Sequence, residues 1–148
     1  MDNQNIIRRE LVSASQNSDI ERAVLAWLNS CPLKPHKVEY SYLGKVSGIC
    51  IGTIQSAFKT RKYIYGGYMA QYQFELRYRL IAANADERIS ADELLNSIGE
   101  WMENNIPTPP DGINWWKPNR TTGAAPDMAY DNGAEDHTIQ ITINYEVI

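Results

Sequence analysis

A stretch in the middle of the chain, Tyr68 to Leu80, reads YMAQYQFELRYRL. Its even-numbered residues are apolar or aromatic, whereas the odd-numbered residues from position 71 onward carry amides and charges. Because side chains along a β-strand point alternately to the two faces of a sheet, this pattern predicts a long strand with one buried face. The opposite face is expected to meet water or a partner, and it consists of Gln71, Gln73, Glu75, Arg77 and Arg79.

A hairpin is predicted just before this strand. Gly66 and Gly67 can adopt the positive φ angles of a tight turn, so the residues from Lys62 to Tyr65 are expected to pair back against the strand. This hairpin collects basic and aromatic side chains, namely Lys59, Arg61, Lys62, Tyr63 and Tyr65. The chain has a net charge of -4, which disfavours a nucleic-acid patch and favours a solvated or partner-facing hairpin.

Two further regions show strand patterning. Val38, Tyr40 and Tyr42 alternate with polar residues, and Gly44 and Gly48 precede a second β-prone run, so the segment from Val38 to Ile54 is predicted to be a hairpin. From His137 to Val147 apolar residues again occupy every second position. The chain is therefore predicted to end in a strand.

Two S-x-x-E sequences resemble the capping box that satisfies free backbone N–H groups at a helix start. The first, Ser18 to Glu21, predicts a helix from about Asp19 to Ser30, ended by Pro32. The second, Ser90 to Glu93, predicts a helix that ends at Asn104-Asn105, before Pro107.

The length of 148 residues fits a single α+β domain, 1-148. Residues 1–17 are predicted to be a short helix or an N-terminal arm, and residues 107–133 a long, proline-rich loop. Within that loop, Trp115 and Trp116 either cover the core or lie at a subunit interface. The order of elements predicts a mainly antiparallel or mixed β-sheet of four to five strands with helices packed on one face.

Composition and motifs argue against several classes of function. No apolar run approaches the roughly 20 residues of a membrane span, and no secretory signal is evident, so the expected compartment is the cytoplasm. Cys31 and Cys50 are expected to be reduced and buried. His36 and His137 lie at no metal-ligand spacing, and a buried thiol with a surface imidazole is favoured over a catalytic Cys-His pair. We therefore expect a structural protein without a cofactor rather than an enzyme.

Several segments of the sequence, taken in order, resemble those of a known family. A helix stops at Cys31-Pro32-Leu33, a hairpin follows over Val38 to Ile54, and a basic-aromatic segment leads into a strand over Lys59 to Leu80. The remaining segments are Glu93 to Met102 in the second helix, the proline-rich linker Pro107 to Gly112, Glu135-Asp136 and the last strand, Thr138 to Val147. In this order they resemble the small tail terminator or minor capsid proteins of long-tailed bacteriophages. The N-terminal segment and residues 113–131 depart from that pattern.

The resemblance implies a virion protein of the tail and neck, present in the host cytoplasm during assembly. It implies a hexameric ring that caps the tail tube, stops tail polymerisation and offers a joining surface to the head. Its partners would be further copies of itself, the tail tube protein and a neck or head-completion protein. DNA would only pass through the channel, and a negatively charged ring would not trap its phosphates.

Two other interpretations stay open. The chain could be a head-completion or connector protein of the neck, or a small-ligand-binding α+β domain. For assembly, the candidate contact residues are Lys59, Arg61, Lys62, Tyr63, Tyr65, Gln71, Gln73, Glu75, Arg77, Arg79, Trp115 and Trp116.

Overall fold

A computed structural model describes residues 10–109 and 111–148. Within those residues the chain forms two helices, α1 (Ala14–Asn29) and α2 (Ala85–Asn104), and eight strands. The strands are β1 (Glu10–Leu11), β2 (Val38–Tyr40), β3 (Gly48–Lys62), β4 (Tyr68–Leu80), β5 (Ile113–Trp115), β6 (Asn119–Arg120), β7 (Ala125–Ala129) and β8 (Glu135–Val147). The predicted α+β class is confirmed.

The strands form one sheet in five rows. β4 lies at the centre, antiparallel to β3 on one side and to β8 on the other. β1 and β2 both pair with β3, while β5, β6 and β7 all pair with β8. The predicted count of four to five strands is too low, because both outer rows are divided into short strands. The sheet is mixed, since β2 runs parallel to β3.

The prediction for the central strand is confirmed. The even-numbered side chains of β4 from Tyr68 to Leu76 are buried. Tyr72, Phe74 and Leu76 among them have no accessible surface. They share one hydrophobic core with buried side chains of both helices, among them Leu28 and Ile98. At roughly 25 cal/mol per Å² of apolar surface, this core supplies the main driving force for folding.

The predicted hairpin over Val38 to Ile54 is wrong. Val38 is aligned with Ile49 and Tyr40 with Ile51, so β2 and β3 are parallel. The loop between them therefore returns the chain to the same end of the sheet before β3 begins. Ser41 adopts a positive φ of 51° in that loop, and its N–H donates to the Ile51 carbonyl at 2.8 Å. Alternation predicts that a segment is a strand, but it contains no information on the direction of pairing.

The hairpin ahead of β4 is confirmed, with one correction. β3 already ends at Lys62, and the residues from Tyr63 to Gly67 form the turn rather than a paired strand. Gly66 adopts a φ of 106°, as the turn requires. A β-carbon on Gly67 would lie 2.5 Å from the Val147 carbonyl oxygen, so the turn packs closely against the end of β8.

Both helices begin earlier than predicted. Ser13 caps α1, its hydroxyl accepting from the Gln16 N–H at 3.4 Å. Asn84 caps α2 by accepting from the Glu87 N–H at 3.0 Å, while the Glu87 carboxylate accepts from the Ala83 N–H at 2.6 Å. The S-x-x-E sequences used for the predictions lie inside the helices, where the same spacing places two polar residues on one helical face.

The described parts of the segments predicted to be an N-terminal arm and a loop contain short strands and the start of a helix. Residues 10–17 contribute β1 and the first turn of α1, whereas residues 1–9 of the predicted arm lie outside the described residues. In the predicted loop, β5, β6 and β7 follow one another along the edge of β8. Pro118 and Pro126 interrupt this row, because proline cannot donate a ladder hydrogen bond.

Candidate interaction surfaces

The polar face of β4 begins with a chain of amide hydrogen bonds. Gln73 donates to the Gln71 carbonyl oxygen at 2.9 Å, and Gln71 donates to the Asn144 carbonyl oxygen on β8 at 3.1 Å. All three side chains are half-buried. This part of the predicted contact face is therefore largely satisfied within the sheet, although each amide retains hydrogen-bonding capacity toward a partner.

Further along the same face, two arginines surround one buried carboxylate. Asp136 has no exposed surface; it accepts from Arg79 Nε at 2.7 Å and from Arg77 Nη1 at 3.0 Å. Burial alone would raise the Asp136 pKa, but hydrogen bonds from Arg79, Tyr130 and Arg77 together lower it below its usual value. Asp136 is thus held as a charged anchor between β4 and β8.

Residues from the edge row complete this cluster. The Tyr130 hydroxyl donates to Asp136 at 2.7 Å, and its ring centroid lies 4.4 Å from the Arg79 guanidinium carbon. Asp127, at a register shift of β7, contacts Arg77 at 2.7 Å. Glu75 also contacts Arg77, at 3.1 Å. The predicted residues Glu75, Arg77 and Arg79 are therefore brought together, but their charges are compensated inside the subunit. We name this group the anchor cluster: Glu75, Arg77, Arg79, Asp127, Tyr130 and Asp136.

The tip of the β3–β4 hairpin has the opposite character. We call residues 61–66 the arm. Ile64 is fully exposed, at 106% of its reference surface, and Tyr65 is 78% exposed. The rings of Tyr63 and Tyr65 stack at 5.1 Å, and the Arg61 guanidinium lies 5.9 Å from the Tyr63 ring centroid. The Tyr63 hydroxyl donates to Glu146 at 2.6 Å, and this hydrogen bond raises the pKa of Tyr63 to about 12.

Three basic residues at the end of β3 are divided between the two faces of the sheet: Lys59 and Lys62 lie on one face and Arg61 lies on the other. Lys59 and Lys62 contact Glu10 on β1 at 3.6 Å and 3.2 Å, and the hydrogen bond from Lys62 is the main cause that lowers the Glu10 pKa. Arg61 is aligned with Met69 and lies on the face of the odd-numbered β4 residues. The sequence thus predicted one basic cluster where the structure forms two.

The adjacent tryptophans differ in burial. Trp115 is 9% exposed, stacks on Trp27 at 5.4 Å and donates from Nε1 to the Pro107 carbonyl at 3.1 Å. Trp116 is 44% exposed. Of the two alternatives for this pair, Trp115 therefore takes the core position, and Trp116 is the one that is available to a partner.

His137 and both cysteines, which the sequence offered as possible catalytic residues, are buried. His137, expected at the surface, is fully buried, with Nδ1 at 2.7 Å from Asp92 and Nε2 at 3.4 Å from Glu135. Both cysteines are buried and free, and desolvation raises the Cys50 pKa, which disfavours the reactive thiolate. Among residues 10–109 and 111–148, no group of three His, Cys, Asp or Glu side chains is placed to hold a metal ion.

An open groove beside α1 is the best small-ligand candidate. It has a volume of about 280 Å³ and is lined by Ser18, Glu21, Arg22, Leu25 and Tyr40. Glu21 in its wall already accepts hydrogen bonds from the Tyr40 and Thr53 hydroxyls. Two of the polar side chains that could orient a ligand, Glu21 and Tyr40, are thus engaged with each other.

Comparison with known proteins identifies no relative. No protein-family model matches the chain, and no curated protein is significantly similar to it in sequence. Neither α1 nor α2 is long and apolar enough to cross a lipid bilayer.

Proposed function

We propose that this chain is a structural virion protein that forms a ring, hexameric by the resemblance of its sequence, at the end of a phage tail tube. In that role it would terminate tail polymerisation and offer the surface to which the head is joined. We further propose that both helices pack on one face of the sheet, which leaves the face with the odd-numbered β4 residues toward a neighbour.

The observation that carries this proposal is the arm. Ile64 and Tyr65 expose apolar surface to water next to the positive charge of Arg61. The arginines of the anchor cluster, by contrast, are paired with carboxylates of the same chain. Exposed apolar and aromatic side chains grouped with arginine are typical of the energetic centre of a protein–protein contact. An enzyme has no evident use for such a projection, whereas a subunit of an assembly does.

The outer rows of the sheet favour contacts through side chains over sheet extension. Strands that add to an edge need a long row of free backbone N–H and C=O groups. Here β1 and β2 cover three or fewer residues each, and β7 contains Pro126 and a register shift. These features blunt both edges, so copies would associate through surfaces such as the arm.

The net charge of the chain is compatible with a channel through which DNA passes. The net charge of -4 per chain becomes a large negative charge in a ring, and a negative lumen does not trap phosphates during DNA passage. A predominantly basic lumen in an experimental ring structure would contradict this part of the proposal.

The proposal is tested by assembly rather than by activity. The purified protein is examined by light scattering and negative-stain electron microscopy, alone and with a tail tube protein from the same genome. We expect closed rings with a central channel, located at the end of tubes of uniform length. Tubes that grow without limit in its presence would overturn the terminator role, and a ring found only on the head side would favour a neck connector.

A further inference from the structure

We propose that the arm of one copy docks on the outer surface of the first half of α2 in the next copy, in a head-to-tail contact. The inference rests on the proposed ring and deepens it by naming the two surfaces that meet. We define the receiving surface, the α2 stripe, as Asp86, Ile89 and Glu93.

The arm supplies a positive charge and an apolar tip. Arg61 is exposed, and it makes no ion pair among the described residues. Ile64 and Tyr65 beyond it are the two most exposed large hydrophobic residues of the part of the chain that the structure describes. A partner surface that suits the arm must therefore combine negative charge with at least one exposed aliphatic side chain.

The α2 stripe has that combination. Residues three and four apart lie on one face of a helix, so Asp86, Ile89 and Glu93 are neighbours. Ile89 is 57% exposed, and the flanking carboxylates are exposed and make no ion pair within the part of the chain that the structure describes. Two other acidic residues of α2 are engaged, since Asp92 contacts His137 and Glu103 contacts Arg120.

The positions of the two surfaces suit a ring. The arm follows the end of the sheet where Tyr68 is aligned with Val147, and α2 begins beyond the end where Leu80 is aligned with Glu135. The 13 residues of β4 separate these ends by about 40 Å at roughly 3.3 Å per residue. An arm therefore cannot reach the stripe of its own chain, and two different patches at opposite ends are what a head-to-tail ring requires.

Directed disulfide formation tests the contact. Ile64→Cys and Ile89→Cys are prepared as separate full-length variants, and both native cysteines are buried and so poorly available to an oxidant. We expect disulfide-linked dimers when the two variants are mixed under mild oxidation, and few when either is oxidised alone. Linking of Ile64→Cys to itself as efficiently as to Ile89→Cys would indicate a two-fold contact and overturn the proposal.

Charge reversal tests the electrostatic part. Arg61→Glu and Glu93→Arg should each weaken self-association about tenfold, because each places like charges opposite one another. The double variant R61E/E93R should recover most of the wild-type affinity. Lys37→Glu and Glu39→Arg are matched controls, since both residues are exposed and away from the arm and stripe. Equal weakening by the controls, or no recovery in the double variant, would count against the contact.

The outcomes separate this inference from the proposed function. Closed rings without an Ile64→Cys to Ile89→Cys link would overturn the docking contact and leave the ring intact. Linked open chains that never close or cap a tube would support the contact and overturn the terminator role. Absence of both links and rings would overturn both.

Discussion

Two regions of this protein each combine an arginine, a tyrosine and a carboxylate, and they differ in what surrounds these groups. In the anchor cluster, Arg79 lies over Tyr130, whose hydroxyl donates to Asp136. At the arm, Arg61 lies near Tyr63, whose hydroxyl donates to Glu146. Asp136 is fully buried and directly bound by two guanidinium groups, whereas Arg61 is exposed at the tip of a hairpin.

The difference lies in solvent and geometry rather than in composition. Around Asp136, three strands bring opposite charges together out of water. Removing one of these charges would therefore leave its partner buried and uncompensated. At the arm, water screens the charge of Arg61 and the hairpin leaves it free for another molecule. The charges of the first arrangement are therefore compensated within the fold, and Arg61 in the second stays exposed to solvent.

Replacing Asp136 should have the largest effect on stability. Asp136→Ala leaves two half-buried arginines without their common partner, and removal of one member of a buried charged group costs about 3–5 kcal/mol. Chemical denaturation should show this loss in the free energy of unfolding. Asp127→Ala is the matched control and should cost less than about 1 kcal/mol, because its side chain is 44% exposed. Equal losses in both variants would remove the distinction between buried and exposed charge.

The tryptophan pair extends the comparison to apolar side chains. Trp115→Ala removes a buried ring stacked on Trp27 and should destabilise the fold by about 3 kcal/mol. Trp116→Ala should change the free energy of unfolding by less than about 0.5 kcal/mol. Thermal denaturation followed by circular dichroism measures both. A larger loss for Trp116 would assign it to the core instead of to a partner surface.

Substitution of Tyr130 and of Tyr63 tests the hydrogen bond that each hydroxyl donates to a carboxylate. Tyr130→Phe removes a donor to a buried carboxylate and should cost about 1–2 kcal/mol. Tyr63→Phe should leave the unfolding midpoint unchanged but slow self-association, since only the arm is altered. Urea denaturation and light scattering distinguish these results. Loss of stability in Tyr63→Phe without any effect on association would reverse the roles assigned to the two regions.

Acid should affect stability through Asp136 only at low pH. The Asp136 pKa is lowered in the folded state, so its contribution to stability is present above its unfolded pKa, about 3.9. That contribution is lost as the pH falls from about 4 through the folded-state pKa, because the unfolded chain then binds more protons. The midpoint of urea unfolding should therefore fall less steeply with acid in Asp136→Asn than in the wild type. Parallel slopes would show that Asp136 is not the group that titrates.

The sequence predicted β4 and β8 well, divided β3 between two predicted hairpins, and predicted the outer rows poorly. Tyr68 to Leu80 and His137 to Val147 alternate over enough residues to identify β4 and β8 without tertiary information. The strands of the outer rows span two to five residues, too few for a period to emerge, and they form because β3 and β8 offer unpaired edges. The parallel direction of β2 depends on how its loop folds, which no local pattern specifies.

The candidate contact residues were predicted in part. The hairpin and the polar face of β4 follow from turn residues and alternation. The roles of Asp136 and Tyr130 were missed, because their contacts with Arg79 depend on the alignment of β8 with β4 and on the path of the chain after β7. A stretch such as Glu135-Asp136 before a strand looks like an ordinary solvated turn until that alignment is known.

The sequence by itself determined that two helices and the strands β4 and β8 form, and which face of β4 is buried, because these properties depend on the period of apolar residues along the chain. Only the tertiary structure decided which charges of the described residues are paired within the fold and which are exposed to solvent without an ion pair. The reason is physical: the energy of a charge depends on its neighbours and on its access to water, and both are set by strand alignment across the sheet.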